Sequence, residues 1–433
     1  MNKLEKYSSY KDSEINPFLE FPNHWDIKRF KHLFSFGKGL NITKENLEET
    51  GVECVNYGEI HSKFGFKINP NIHKLKCVNE SYLKNGSKSL LNIGDFVFAD
   101  TSEDIEGSGN FTHLIGDRKI FAGYHTMICR PQKTLNSKFY AYLFDSKSFR
   151  SQLHEKVKGV KVYSITQNIL KDTFVWIPKD SEQTKIAFFL DEKTAQIDEV
   201  ISQKEKLIEL LKERKQIVIN DAVTKGLDKD VEFVDSDVEW IGKIPKHWEV
   251  IKFKHLFYEK KKIHDISLNC GSISFGKVVE KNDEKIPAST KASYQVLNKG
   301  EFLINPLNLN YDLKSLRIGL SDLDVVVSSG YIIIKNKENI DKIYFNWLLH
   351  RYDIAFMKTL GAGVRQTLNF GDIAETLLVN PPIDEQMQIA EYIENQTTKI
   401  DIAIELQQKY ISKLKEYKAS LIDSVVTGKV KVS

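Results

Sequence analysis

Polar side chains suited to binding nucleic acid lie in two separate regions of this 433-residue chain. Asparagine and glutamine can each form two hydrogen bonds with adenine, arginine can do so with guanine, and a carboxylate can accept from the cytosine amino group. Lysine, serine and tyrosine often contact phosphate oxygens. The candidates in the first region are Tyr57, Lys63, Lys67, Thr101, Ser102, Glu103, Asn110, His113, Arg118, His125, Lys158, Lys161 and Tyr163. The candidates in the second region are Lys277, Asn305, Asn308, Asn310, Tyr311, Lys314, Arg317, Ser328, Tyr331, Arg365 and Gln366. We expect both sets to contact base edges and phosphates, with the acidic run 102–106 facing base amines.

Motifs for catalysis are incomplete. Residues 380–383, Asn-Pro-Pro-Ile, resemble the Asn-Pro-Pro-aromatic motif of adenine amino-methyltransferases, but Ile383 stands where the aromatic ring would stack on a flipped base. Residues 36–39 lack the spacing of an adenosylmethionine loop, and the chain contains neither a GxxxxGK[ST] phosphate loop nor a GxSxG elbow. We therefore expect a binding protein with no catalytic residue of its own.

The charge is divided unevenly along the chain, although the formal net charge is only +3. Residues 22–178 hold 22 Lys and Arg against 16 Asp and Glu, and residues 245–370 hold 19 against 13. By contrast, residues 179–243 hold 11 against 16, and residues 371–433 hold 7 against 10. This alternation is expected if the basic regions meet a polyanion and the acidic ones do not.

The overall composition favours an ordinary globular protein long enough for two or three buried cores. The four cysteines lie far apart and lack metal-ligand spacing, which predicts no zinc site and suits a reducing cytoplasm. The first 15 residues lack the apolar segment of a signal peptide, and no run approaches the roughly 18 apolar residues of a membrane helix. We expect a cytoplasmic protein without a bound metal.

An internal repeat supplies the elements that must position the polar loops. Residues 182–225 recur at 385–428, an offset of 203. The identities include Glu182 with Glu385, Gln183 with Gln386, Asp198 with Asp401 and Lys215 with Lys418. Each copy opens on acidic residues and ends at a glycine, Gly226 or Gly428, as is typical of a helix with a C-terminal glycine cap. At ~1.5 Å per residue each copy would form a rod of about 60 Å.

Apolar residues recur in both copies at alternating steps of three and four, which predicts two amphipathic helices packed on each other. The seam positions are Ile186, Leu190, Ile197, Ile201, Lys204, Ile208 and Leu211 in the first copy and Ile389, Ile393, Ile400, Ile404, Gln407, Ile411 and Leu414 in the second. Lys204 and Gln407 interrupt the apolar pattern. Buried polar residues in such a seam commonly fix the register at some cost in stability.

The globular regions repeat as well. Pro22-Asn23-His24-Trp25 is echoed by Pro245-Lys246-His247-Trp248, and Phe-Lys-His-Leu-Phe follows in both cases. Asp26 and Glu249 follow these histidines by two residues and His32 and His255 follow them by eight, a spacing that matches no catalytic or metal-binding motif. We therefore interpret these histidines and the neighbouring aromatic residues as core and docking residues.

Short segments rich in β-branched and aromatic residues predict strands in both regions. In the first region we predict strands at 54–60, 95–100, 122–130 and 174–178 and helices at 139–151 and 167–172. In the second we predict strands at 270–278, 301–306, 324–334 and 376–381 and a helix at 344–356. The resulting division is an N-terminal segment (1–21), a first α+β domain (22–178), a first long helix with linker (179–243), a second α+β domain (244–380) and a second long helix (381–433).

Together these motifs resemble the specificity subunit of a type I restriction-modification system, from Pro22 onward. In that family each target-recognition domain opens on Pro-x-His-Trp and closes on proline, Glu-Gln-x-x-Ile-Ala and a long helix. The residues that carry the resemblance are Pro178, Glu182, Gln183, Ile186 and Ala187 with Pro381, Glu385, Gln386, Ile389 and Ala390. Residues 361–368 match the family's Gly-rich basic turn, whereas the pairing of Lys161 with Arg365 requires a one-residue shift.

The resemblance implies an α+β fold with two pseudo-repeated target-recognition domains separated by two long helices in an intramolecular antiparallel coiled coil. It also implies that each domain reads one half of a bipartite double-stranded DNA target. The implied protein partners are two methylation subunits, with restriction subunits as an optional addition. S-adenosylmethionine, ATP and Mg²⁺ are then expected only in those partners.

Two other interpretations remain open from the residues. The chain could be a helical scaffold or adaptor with peptide-binding domains, or a targeting subunit of another nuclease-methyltransferase system. Binding to DNA that is absent or insensitive to salt would favour the scaffold, because phosphate contacts make affinity salt-dependent. The neighbouring genes would distinguish the targeting subunit.

Overall fold

The computed structural model describes residues 5–12, 20–157, 159, 161–284, 286–307, 316–359 and 367–432. The chain divides into two compact units, residues 1–204 with 409–433 and residues 205–408. Each unit contains one α+β region and one half of each long helix.

The first region has fourteen strands in its described part. They are β1 (Tyr10–Asp12), β2 (Glu20–Pro22), β3 (Asp26–Arg29), β4 (Phe34–Lys38), β5 (Val52–Val55), β6 (Phe66–Ile68), β7 (Cys77–Val78), β8 (Phe96–Ala99), β9 (Thr101–Ser102), β10 (Phe111–Leu114), β11 (Phe121–Ala122), β12 (Thr126–Pro131), β13 (Tyr163–Ser164) and β14 (Phe174–Ile177). The helices are α1 (Tyr57–Ser62), α2 (Tyr82–Asn85), α3 (Ser137–Asp145), α4 (Lys147–His154), α5 (Gln167–Lys171) and the long α6 (Asp180–Lys225). Short 3-10 turns cover Phe30–His32, Lys44–Asn46 and Ser87–Ser89.

The second region is built in the same way from fewer residues. Its described strands are β15 (Phe233–Asp235), β16 (Lys243–Pro245), β17 (Glu249–Lys252), β18 (Phe257–Glu259), β19 (Gly271–Ser274), β20 (Lys277–Glu280), β21 (Gln295–Leu297), β22 (Phe302–Ile304), β23 (Ile318–Leu320), β24 (Val325–Val327), β25 (Ile332–Asn336) and β26 (Leu377–Asn380). The helices are α7 (Phe253–Leu256), α8 (Ala288–Lys291), α9 (Lys342–Ala355), α10 (Phe370–Ala374) and the long α11 (Ile383–Val426), and a 3-10 turn covers Met357–Thr359.

The main sheets of the two regions share the order of four strands. The first sheet has the order β4-β12-β8-β10-β6, and its first four strands correspond to β18-β25-β22-β23 in the second. In each region a separate two-stranded sheet, β3 with β14 or β17 with β26, joins the start of the domain to the strand before the long helix. The repeat seen in the sequence is therefore a repeat of topology.

Aromatic rings fill the core of the first region. Strand β8 is buried along its whole length because it lies between β12 and β10. Phe30 packs on Phe34 and Phe144 with ring centroids 4.5 and 5.1 Å apart, and Phe96 packs on Phe144 at 5.0 Å. Since offset and edge-on ring pairs add to the free energy of burial, this cluster fixes the sheet against α3 and α4.

The long helices pair in antiparallel fashion within each unit. In the first unit Asp198 meets Lys418 and Lys204 lies over the ring of Tyr410, so rising numbers in α6 meet falling numbers in α11. In the second unit Lys215 meets Asp401, while Val223 shares a core cluster with Ile393. The predicted antiparallel coiled coil is confirmed.

The predicted seam is the covered face of both helices. Ile186, Leu190, Ile197, Ile201, Ile208, Ile389, Ile393 and Ile411 are buried. Leu211, Ile400, Ile404 and Leu414 are half-buried. Lys204 and Gln407 are also half-buried rather than buried, and the Lys204 ammonium lies 4.8 Å from the Tyr410 ring centroid. The expectation of buried polar seam residues is therefore corrected.

Several strand predictions merged separate elements. Residues 54–60 contain the end of β5 and most of α1, because Asn56 and Glu59 form a capping box that starts a helix. Residues 270–278 fold as the hairpin β19–β20, and residues 324–334 divide between β24 and β25. The predicted helix at 139–151 breaks at Ser146, whose side chain accepts from the Phe149 backbone and caps α4.

Candidate nucleic-acid interface

Each recognition region is joined to its long helix by the same histidine–glutamate contact. His24 Nε2 lies 3.0 Å from Glu182 Oε2, and His247 Nε2 lies 2.6 Å from Glu385 Oε1. Trp248 Nε1 also donates to Glu385 at 2.9 Å, whereas in the first unit the hydroxyl of Tyr7 donates to Glu182. These glutamates lie far from the histidines in sequence, so local sequence spacing does not reveal the pairs. The contacts show that both histidines dock their α+β region onto its long helix.

The glutamine that follows each of these glutamates in sequence forms a hydrogen bond at the start of its long helix. The Gln183 amide donates to the Pro178 carbonyl at 2.9 Å, and the Gln386 amide donates to the Pro381 carbonyl at 2.8 Å. Gln386 Nε2 also donates to Asn380 Oδ1 at 3.2 Å. The Asn-Pro-Pro segment at 380–382 therefore takes part in the hydrogen bonds at the start of α11.

The polar loops of the first region form a cleft of about 810 Å³, here called the aromatic-acidic cleft. It is lined by Tyr57, Gly58, His61, Thr101, Ser102, Glu103, Asp104, Glu106, Gly107, Asn110, His125 and Val162. Six of the thirteen predicted contact residues of this region line it. The backbone of a seventh, Tyr163, pairs with Ser102 between β13 and β9.

Aromatic side chains form one wall of this cleft. Helix α1 places Tyr57 and His61 one turn apart, with ring centroids 6.1 Å apart. The Tyr57 ring also packs edge-on against Tyr124 at 5.6 Å and His125 at 5.3 Å. Such rings offer a surface on which an unstacked base can lie.

Asn110 is held by a polar network that includes His61 of the aromatic wall. Its side-chain oxygen accepts from both terminal nitrogens of Arg150 at 3.0 Å, and its amide nitrogen lies 2.9 Å from His61 Nδ1. His61 Nε2 then donates to the Thr101 carbonyl at 2.8 Å, which assigns the proton to Nε2. Because these bonds fix Asn110 in one orientation, it is a preorganised group rather than a freely rotating loop side chain.

A tight turn presents the acidic residues of the cleft. Asp104 Oδ1 accepts from the Gly107 backbone at 2.6 Å, and the Ser102 hydroxyl accepts from the Asp104 backbone at 3.4 Å. Glu103, which precedes this turn, is exposed. An exposed carboxylate beside aromatic rings favours a base amine over a phosphate as its partner.

His125 joins the aromatic-acidic cleft to a second cavity of about 840 Å³ that is lined by Lys38, Asn41, Asp100, Tyr124, Gln167 and Asn168 among others. The His125 backbone is left-handed, with φ of +54°, and the ring nitrogen Nδ1 of His125 lies 3.2 Å from Asp100 Oδ1. Left-handed non-glycine residues are uncommon and tend to cluster at functional sites.

The remaining predicted residues of the first region lie elsewhere. Lys63 and Lys67 are exposed on the C-cap of α1 and on β6, and Lys161 is exposed before β13. Arg118 is exposed and pairs with Glu53 at 3.2 Å. Lys158 lies outside the described residues.

His113 is buried, and we withdraw it as a DNA contact. It lies on β10 with 1% of its surface exposed, and its Nδ1 donates to the Phe66 carbonyl at 2.7 Å. Burial lowers the pKa of His113 to about 4, so the ring is neutral near pH 7.

In the second region the described candidates are spread over several elements. Lys277 is exposed at the start of β20, and Asn305 follows β22 and is half-buried. The buried Gln295 donates to the backbone oxygens of Ser328 and Tyr331, at 3.4 and 2.7 Å, which fixes the turn before β25. Asn308, Asn310, Tyr311, Lys314, Arg365 and Gln366 lie outside the described residues.

Arg317 is also withdrawn as a DNA contact, because it is paired in the interior. It is 6% exposed, and its Nε and backbone nitrogen donate to Asp353 at 2.9 and 2.6 Å. Burial raises the pKa of Asp353, while Arg317 opposes this effect. A buried pair of this kind ties β23 to α9.

The sequence search missed His61 and Arg150. His61 was hidden because residues 54–60 were read as a strand, whereas a helix places it on the same face as Tyr57. The capping pattern of Asn56 and Glu59 was the available signal. No local sequence signal identified Arg150, since its partner Asn110 lies 40 residues away.

Comparison with known proteins identifies the family. The family described as "Type I restriction modification DNA specificity domain" matches residues 22–210 and 245–415. The chain belongs to this family. It is 25% identical over 99% of its length to the putative type I restriction enzyme MjaX specificity subunit of Methanocaldococcus jannaschii, of which 98% is covered. It is 23% identical to the EcoBI specificity subunit of Escherichia coli over 60% of this chain and 58% of that protein.

Solved structures share the specificity-subunit fold. One chain, from work titled as the structural basis of complex assembly and conformational transition of the type I R-M system, matches with a TM-score of 0.69 and 14% identity over 94% of this chain and 98% of its own length. The HsdS subunit from Thermoanaerobacter tengcongensis matches with a TM-score of 0.51 and 14% identity, covering 95% of this chain and 98% of that one. At this identity both likenesses support the fold alone.

Among the described residues, no helix is long and apolar enough to span a membrane. The same part of the chain contains no group of three or more His, Cys, Asp or Glu side chains placed to hold a metal ion.

Proposed function

We propose that this specificity subunit reads a bipartite duplex DNA target, with each recognition region taking one half. The observation that supports this most directly is the aromatic-acidic cleft, where Tyr57 offers a stacking surface and the exposed Glu103 can accept from a base amine. The basic balance of both recognition regions adds a sequence-independent attraction to phosphates.

The same proposal assigns methylation subunits to the long helices. In the second unit Leu207, Leu210, Ile217, Ile402 and Leu406 are between 41% and 60% exposed. In the first unit Val200, Tyr410 and Tyr417 on these helices are between 40% and 47% exposed. Paired helices that keep a second apolar face present a surface suited to further helices.

We further propose that this chain contributes recognition and no chemical step. Its resemblance to a methyltransferase motif ends at Ile383, and the Asn380 side chain is bonded to Gln386 at 3.2 Å. Methyl transfer with S-adenosylmethionine, and any cleavage with ATP and Mg²⁺, then belong to the methylation and optional restriction subunits.

Selection from a random duplex library tests this function. The full chain, alone and with its methylation subunits, is incubated with the library and the bound sequences are read. We expect two short conserved blocks separated by a spacer of fixed length and variable sequence, and affinity that falls steeply with salt. Binding without an enriched split motif would contradict the proposal, and salt-insensitive protein binding would support a scaffold.

A further inference from the structure

The hairpin β19–β20 has an unusual residue at its tip. Ser274 pairs with Lys277, which leaves Phe275 and Gly276 as a two-residue turn. Both have positive φ, +47° and +76°, which is the pattern of a type I′ turn. Such turns favour Asn-Gly, Asp-Gly or Gly-Gly, and a bulky residue in this conformation is a genuine outlier.

Phenylalanine at position 275 is also unfavourable because its side chain is exposed to solvent. The side chain is 73% exposed, one of the largest exposures of an apolar side chain in the described chain. Asparagine would suit both the backbone and the solvent better. Backbone strain combined with an exposed aromatic ring indicates a residue retained for contact with a partner, since strained residues cluster at binding sites.

The turn that carries Phe275 is fixed against the rest of its unit. The Gly276 backbone donates to the Leu316 carbonyl at 3.1 Å. A Cβ on Gly276 would lie 2.9 Å from His350 Nε2, and one on Gly319 would lie 2.5 Å from the Gly276 carbonyl oxygen. Because β23 and α9 hold the turn in this way, little conformational entropy is lost when the ring binds.

The surroundings of the tip favour DNA as the partner. Lys277 is exposed directly across the turn, and the second region has 19 basic against 13 acidic residues. A two-stranded ribbon can enter a DNA groove, and phenylalanine is among the side chains that proteins insert between base steps.

We propose that Phe275 inserts between neighbouring base pairs in the half-site read by the second region. This inference rests on the proposed function, because it requires that the second region binds DNA. The ring acts as an apolar wedge that stacks on a base, and Lys277 neutralises an adjacent phosphate. The base step that opens most easily is then preferred at that position, which adds specificity without hydrogen bonds.

Two substitutions separate this role from a structural one. Phe275→Asn removes the ring and supplies a residue suited to the turn, whereas Phe275→Tyr keeps the ring. In the complex of the full chain with its methylation subunits, we expect Phe275→Asn to weaken binding to the selected duplex roughly 5- to 150-fold, the range of a lost base-stacking contact. We expect Phe275→Tyr to bind like the wild type and Phe275→Asn to unfold at the same or a higher temperature.

A probe of base stacking locates the contact. With 2-aminopurine placed at each step of both half-sites in turn, the wild-type complex should increase its fluorescence at one step of one half-site. Phe275→Asn should abolish that increase. Undiminished affinity of Phe275→Asn, or no fluorescence change at any step, would overturn this inference while leaving the proposed function intact. Loss of methylation-subunit assembly in Phe275→Asn would also overturn it, whereas failure to select any split motif would overturn the proposed function itself.

Discussion

The Lys215 ammonium group donates to both carboxylate oxygens of Asp401, at 2.8 and 2.7 Å. The repeat supplies the same contact a second time, because Lys418 donates to both oxygens of Asp198 at 2.7 Å. Asp198 with Asp401 and Lys215 with Lys418 are identities between the two copies. Each unit thus contains one Asp and one Lys from opposite copies, which is the arrangement that an antiparallel pair of repeated helices requires.

The first prediction concerns these ion pairs. Lys215→Asp should place two carboxylates side by side and lower the free energy of unfolding by about 0.5–1 kcal/mol, since exposed pairs of this kind are worth little each. Lys215→Asp combined with Asp401→Lys should recover most of that loss in urea unfolding. The equivalent pair of changes at Lys418 and Asp198 should behave alike, and an exchanged pair that recovers nothing would show that the contact does not stabilise the helices.

The second prediction concerns the glycines that end the long helices. Gly428 has φ of +74°, and a Cβ there would lie 2.4 Å from Pro22 Cδ. Gly226 has φ of +73°, and its Cβ would lie 3.0 Å from the Trp248 ring. Gly242, with φ of +76° and no described atom within 4 Å, is the matched control.

Thermal unfolding of three alanine variants tests this ranking. Gly242→Ala should cost about 1 kcal/mol from backbone strain alone. Gly226→Ala should cost more, and Gly428→Ala most, at roughly 2–4 kcal/mol, because a ring or backbone must shift to admit the methyl group. Equal losses at all three positions would mean that packing on the Pro-x-His-Trp motif adds nothing.

The third prediction separates the two faces of the long helices. Ile201 is 8% exposed in the seam, so Ile201→Asp should lower the free energy of unfolding by about 3 kcal/mol or more by burying an unpaired charge. Ile404→Asp should cost less, because Ile404 is half-buried. Ile402 is 60% exposed, so Ile402→Asp should change stability by no more than about 0.5 kcal/mol.

Among variants that fold, we expect changes on the exposed face of the helices to reduce assembly with methylation subunits more than changes in the seam do. Analytical ultracentrifugation should show that Ile402→Asp, combined with Leu406→Asp, forms less complex although it melts normally. Normal assembly of this double variant would place the docking surface elsewhere.

The fourth prediction concerns independent half-sites. Tyr57→Ala should weaken binding to the half-site of the first region by ~1–3 kcal/mol, the range of a lost stacking contact. Arg365→Ala should do the same for the other half-site if the side chain pairs with guanine. Competition with duplexes mutated in one half at a time measures each effect, and equal losses at both halves would contradict separate readers.

The fifth prediction is a pH dependence of stability from His113. Its folded pKa of about 4 lies below the ordinary value of 6.5, so the unfolded chain binds more protons between these values. The stabilisation from the neutral ring is therefore full above about pH 6.5 and declines as pH falls toward 4, by up to roughly 3 kcal/mol. His113→Asn, which can still donate to the Phe66 carbonyl, should unfold with a smaller difference between pH 7 and pH 4.5.

The sequence by itself determined the duplicated plan and the family. Seam residues such as Ile186 and Ile389 repeat at helical spacing, and local periodicity reports helix and face without knowledge of distant contacts. Polar residue types also indicated a DNA reader, and six of them line one cleft.

The tertiary structure decided which polar residues reach that cleft and which are interior, because burial depends on strands that are distant in sequence. His113 and Arg317 look like DNA contacts in the sequence, but β10 turns the first inward and Asp353, 36 residues away, holds the second. Likewise the carboxylates that contact His24 and His247 are those of Glu182 and Glu385, which lie more than 130 residues away in sequence. Sequence periodicity carries local geometry, whereas these pairings are set by the packing of whole elements.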